Sequence, residues 1–93
     1  MLEKMVERKL LEETRKMGGM AFKFISPGNA GVPDRIVLMP GGRMAFVELK
    51  KPGGRMRPLQ VKAEAKLESL GFRVYCLDSP EKIKEALDGI QSA

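Results

Sequence analysis

The sequence predicts an α/β domain: a mixed β-sheet flanked by helices, in the order αβββαβα. Three observations carry that prediction. Apolar residues recur at helical spacing near both ends of the chain and again between residues 58 and 70. Two short apolar runs, 35–39 and 44–47, are separated by the pair Gly41-Gly42, the signature of a tight hairpin. A helical stretch stands between the third and fourth strands, which permits a parallel crossover.

In chain order, Leu2, Met5, Val6, Leu10 and Met17 fall near one face of a first helix, and Gly18-Gly19 ends it. Glu13 lies within the apolar stripe, while Glu3 and Glu7 flank it on one side, one turn apart. Met20 to Ile25 reads as a strand interrupted by Lys23. The segment 26–31 is a loop of turn formers. The hairpin follows, and then the basic stretch Lys51-Pro52-Gly53-Gly54-Arg55-Met56-Arg57. Pro58 opens a second helix whose buried face is expected at Leu59, Ala63, Leu67 and Leu70, with Gln60 at its edge. Phe72 to Leu77 forms the last strand. Ser79 caps a third helix with Pro80 at its first position and an apolar stripe of Ile83, Ala86, Leu87 and Ile90.

The chain has 93 residues, enough for one domain with one modest core, expected to span 1–93. Hydrophobic residues make up 43% and aromatics only 5%, so the core should rest on Leu, Ile, Val, Met and Ala. The formal net charge of +5 gives modest support to a polyanionic partner. Histidine is absent, which removes Ser-His and Cys-His nucleophiles and histidine zinc sites. A single cysteine, Cys76, in an apolar run reads as a small core residue and suggests a reducing, cytoplasmic setting. No stretch reads as a membrane span or signal peptide.

The chemistry concentrates on Asp34, Glu48 and Lys50. Asp34 precedes the first hairpin strand, and Glu48-Leu49-Lys50 closes the second. Residues two apart in a strand share a face, so Glu48 and Lys50 project together, and the hairpin returns them beside Asp34. Two carboxylates beside an ammonium are costly to bury unless paired or bound to a metal. A hard divalent ion takes carboxylate oxygens and water, and can activate that water against a phosphodiester. The plain alternative is a salt-bridged cluster at the end of a hairpin.

These residues resemble a known family. Glu3 in the first helix, Gly31-Val32-Pro33-Asp34, Glu48-Leu49-Lys50 and Gln60 after the basic loop are similar to the stand-alone, phage-type VRR-NUC domain, the virus-type replication-repair nuclease. That family belongs to the PD-(D/E)xK, restriction-endonuclease-like superfamily, and the resemblance runs from Glu3 to the last strand. It implies that Asp34, Glu48 and the Leu49 carbonyl hold Mg2+ or Mn2+, that Lys50 positions or activates water, and that Glu3 completes the acidic site from the helix. Gln60 would orient Lys50 or the bound water. Glu7 competes with Glu3, which is favoured because it begins a Glu-x-x-aliphatic pattern with Val6. The resemblance further implies a homodimer acting on branched DNA such as Holliday junctions, in a bacterial or phage-infected cytosol. Lys51, Arg55 and Arg57, in the loop that starts at the catalytic lysine, are expected to contact phosphates rather than bases. A non-catalytic nucleic-acid-binding module on the same fold is the competing expectation.

Overall fold

The computed structural model describes residues 3–93, so Leu2 lies outside the described residues. Helix α1 spans Glu3–Lys16, with Glu3 at its positive end and Arg15 and Lys16 in its last turn, where each charge favours the helix dipole. Gly18 (φ 84°) ends it in the left-handed conformation, and the Gly19 N–H returns to the Thr14 carbonyl. Strands β1 (Met20–Lys23), β2 (Arg35–Met39) and β3 (Arg43–Leu49) follow as an antiparallel meander. The turn between β2 and β3 places Gly41 and Gly42 at φ 85° and 77°, which explains the glycine pair. Helix α2 (Pro58–Ser69) then carries the chain to β4 (Val74–Leu77), which runs parallel to β3, and helix α3 (Pro80–Gln91) completes the order αβββαβα. The sheet order is β1-β2-β3-β4.

The pleat sorts side chains between two very different faces. One face presents Ala21, Val37, Met39, Ala45, Val47, Leu49 and Leu77, and α1 and α3 pack over it. Val6 and Leu10 from α1 and Ile83, Ala86, Leu87 and Ile90 from α3 complete that core. Thr14 is buried on the same stripe, its hydroxyl donating to the Leu10 carbonyl at 2.6 Å. The other face presents Met20, Phe22, Ile36, Leu38, Met44 and Phe46, and α2 packs toward its β4 side, touching β3 at Glu48.

Several expectations need correction. Met5 is 51% exposed and leaves the α1 stripe, whose third buried position, after Val6 and Leu10, belongs to a hydrogen-bonded threonine instead. The first strand ends at Lys23, and Ile25 points to solvent. The last strand begins at Val74 rather than Phe72. Helix α2 does not bury the expected apolar face: Leu59 and Leu70 are 58% and 61% exposed, Ala63 and Leu67 are half-buried, and Gln60 is the buried residue. The reason is placement, since α2 lies across the end of the sheet that holds the acidic residues and turns a polar side chain inward. Ser79 takes the N-cap position of α3, but its hydroxyl makes no cap hydrogen bond. Cys76 is half-buried on the α2 side of β4, outside the main core.

Candidate active site

Antiparallel pairing of β2 with β3 sets Arg35 opposite Val47. The residue before β2 therefore meets the residues that end β3. The Leu49 N–H donates to Asp34 Oδ1 at 3.3 Å, locking one carboxylate oxygen to the peptide that joins Glu48 to Leu49. The Asp34 carbonyl accepts from the Phe24 N–H at 2.9 Å, which extends the β1–β2 ladder to the site. Gly31 makes the approach to Asp34 possible: a Cβ there would lie 2.4 Å from the Leu59 carbonyl oxygen, and its φ is 86°. The Gly31-Val32-Pro33-Asp34 segment thus leans on the first turn of α2.

Glu48 is the buried member, with a side chain 7% exposed. It projects from the α2 face of the sheet, opposite Cys76 on β4. Its Oε2 lies 3.5 Å from Lys50 Nζ and accepts from Gln60 Nε2 at 3.1 Å. Gln60 Oε1 in turn accepts from the Arg57 N–H at 2.8 Å, satisfying an orphan donor at the start of α2. Gln60 therefore touches Glu48 and the helix N-terminus. Burial pushes the Glu48 carboxyl above its ordinary range; the neighbouring Asp34 charge adds to this, and Lys50 opposes it. Burial and then the Glu48 charge also push the Cys76 thiol up.

The other predicted residues take distinct places. Lys50 is half-buried just past the end of β3. Lys51, Arg55 and Arg57 are exposed along the loop that runs from Lys50 to α2. Glu3 is exposed in the first turn of α1. Glu7, one turn on, is the α1 carboxylate that reaches toward the site, where it pairs with Arg35 Nη2. Arg35, at the head of the apolar run 35–39, joins the site although the motifs do not point to it. Its Nη1 lies 3.3 Å from Asp34 Oδ2 and 2.9 Å from the Asp34 carbonyl. A signal was present, since Arg35 shares strand parity with Val37 and Met39 and so faces the core, where a cation needs a carboxylate partner.

Among the described residues no three His, Cys, Asp or Glu side chains cluster as a metal site. The neighbouring Asp34 and Glu48 carboxylates still suit a hard ion of the Mg2+ type, which keeps several waters and commonly uses only one or two protein carboxylates. The Glu48 carboxyl, held up by burial and a like charge, would be relieved by a cation placed beside Asp34 and Glu48.

A mixed sheet with an acidic pair and a lysine at the hairpin end defines the class as a restriction-endonuclease-like nuclease fold. The family model for the VRR-NUC domain matches residues 2–81, and the chain belongs to that family. It is 48% identical over 79 residues to the protein described as "Putative nuclease p44" of Acyrthosiphon pisum secondary endosymbiont phage 1, covering 85% of each chain. A solved structure described as a VRR_NUC domain superposes with a TM-score of 0.85 at 25% identity, covering 92% of this chain and 94% of the other. Among the described residues no helix is long and apolar enough to cross a membrane.

Proposed function

We propose that residues 1–93 act as one divalent-metal-dependent endonuclease unit that hydrolyses phosphodiester bonds in branched DNA, such as four-way junctions. The observation that carries this reading is the convergence of Asp34, buried Glu48 and Lys50 at the end of the hairpin. Asp34, Glu48 and the Leu49 carbonyl would hold Mg2+ or Mn2+, which when bound supplies a Lewis acid and an acidified water. Lys50 orients the attacking water and offsets charge developing on the phosphate. Gln60 fixes the Glu48 carboxylate, and Glu3 would add an acidic group from the first turn of α1. Lys51, Arg55 and Arg57 contact the flanking phosphates without base readout, so recognition follows the shape of the DNA. The phage relative supports action in a bacterial or phage-infected cytosol.

A homodimer fits this activity, because paired cuts across a junction need two sites in fixed relation. The uncovered sheet face supports it. Met20, Phe22 and Leu38 are exposed there, Phe72 is exposed at its margin, and Phe46 stacks with Phe24 and Phe72 at 5.6 and 5.8 Å between ring centroids. From Met20 to Phe46 this face carries no charged side chain, which suits a self-complementary partner better than DNA. The test is incubation with four-way junction, flap and linear duplex DNA, with and without Mg2+ or Mn2+. Junction cleavage that chelation abolishes is expected, with light scattering giving about twice the chain mass and Phe22→Asp giving the monomer. Junction binding without cleavage in either metal would leave a binding module instead.

A further inference from the structure

Arg35 is a cation placed against one of the proposed metal ligands. Its side chain is only 11% exposed, and its fork spans two carboxylates from different elements. One arm contacts the Asp34 carbonyl at 2.9 Å and Asp34 Oδ2 at 3.3 Å, and the other pairs with Glu7 on α1. Both Asp34 oxygens are thus held, Oδ1 by the Leu49 N–H and Oδ2 by the guanidinium.

A permanent positive charge beside a ligand oxygen does two opposing things. It orients the carboxylate, which favours coordination, and it repels a divalent cation, which disfavours it. Glu7 decides the balance. It neutralises Arg35 from the far side and draws the fork toward α1, so Asp34 stays oriented while keeping its charge for the metal. We propose that Glu7 and Arg35 form a charge-balanced positioning pair that sets the metal affinity of Asp34, with Glu7 acting through Arg35 and not as a ligand. This rests on the metal-site reading given above. Glu7 falls on the buried side of α1 three residues before Leu10, so the pair also ties the site to the helix that covers the core.

The experiment is calorimetric titration of the full chain with Mn2+, beside urea denaturation of the same proteins in chelator. Wild type, Glu7→Gln, Glu7→Asp, Arg35→Met and the double variant Glu7→Gln/Arg35→Met are compared. Removing the Glu7 charge leaves Arg35 unopposed beside Asp34, and Mn2+ affinity should fall about 10-fold or more, in the range of outer-shell substitutions at metal sites. Glu7→Asp keeps the charge and should lose less. Removing both charges should recover most of that loss, because the repelling cation has gone with its neutraliser. A pair that serves only to pack α1 would shift the urea midpoint and leave Mn2+ affinity unchanged, which overturns the proposal. A double variant as weak as or weaker than Glu7→Gln would make Glu7 a ligand in its own right and also overturns it. Should Glu7→Gln fail to fold, Glu7→Asp against the double variant decides by the same comparison. A wild-type protein that takes up no Mn2+ refutes the metal site itself, a result separate from any difference among the variants.

Discussion

Replacing Gln60 by alanine should cost this protein about 3 kcal/mol. Gln60 is 5% exposed and makes two side-chain hydrogen bonds, one from the Arg57 N–H and one to the Glu48 carboxylate. The first is neutral and worth about 1 kcal/mol; the second meets a buried acceptor of ionic character and is worth about 2 kcal/mol. For a domain of this length each kcal/mol moves the melting temperature by roughly 4–8 °C, so a drop on the order of 15 °C is expected. Chelator-treated protein unfolded by urea or heat at neutral pH gives the number. Gln60→Glu separates the two bonds, since a carboxylate still accepts from the Arg57 N–H but sets a second negative charge against Glu48. That neighbour raises the folded-state pKa of Glu48 further, and a raised carboxyl destabilises at pH above its unfolded value. The deficit of Gln60→Glu should therefore shrink as pH falls toward the ordinary glutamate range. A Gln60→Ala protein within 1 kcal/mol of wild type, or a Gln60→Glu deficit independent of pH, would refute the account of Gln60 as the clasp between α2 and Glu48.

Glu48→Gln tests the same electrostatics from the other side: a carboxyl held above its ordinary range binds its proton more tightly when folded, so wild-type stability is lost as pH rises, and in chelator the neutral variant should be the more stable at pH 7 and lose that lead toward pH 4. Saturating Mn2+ should reverse the order, because only the wild type gains from binding the ion, and melting curves with and without it show whether this happens. Asp34→Asn should abolish metal-dependent cleavage while the far-ultraviolet dichroism stays native. Lys50→Ala should lose cleavage in a gel assay yet keep Mn2+ affinity in calorimetry, since its ammonium donates and cannot ligate. Arg55→Ala/Arg57→Ala should flatten the slope of log affinity against log salt by about two phosphate contacts' worth, measured by fluorescence anisotropy with a labelled junction.

The parts of this molecule legible in its sequence are those where one short-range rule decides. Gly41-Gly42 between two apolar runs sets the hairpin, and the hairpin alone brings Glu48 and Lys50 to Asp34, whatever the rest of the chain does. The stripe Ile83, Ala86, Leu87 and Ile90 is buried as its spacing demands, because α3 has one sheet face to cover. Helix α2 obeys a rule of wider range. Its apolar residues also recur at helical intervals, yet the sheet face available to it ends in Glu48, and the inward position goes to the one residue able to satisfy both a carboxylate and a helix N-terminus. Periodicity counts apolar residues and is blind to that exchange, which leaves Leu59, Leu67 and Leu70 outside the core and half of the sheet uncovered. Arg35 shows how such a case becomes readable. Strand parity sends it to the core side with Val37 and Met39, a buried guanidinium requires an anion, and α1 offers Glu7 on its inward side. A charged residue that strand parity assigns to a packed face is thus a sequence-level mark of a site, and in this chain Glu48 and Arg35 are two such residues, each in contact with another part of the acidic cluster.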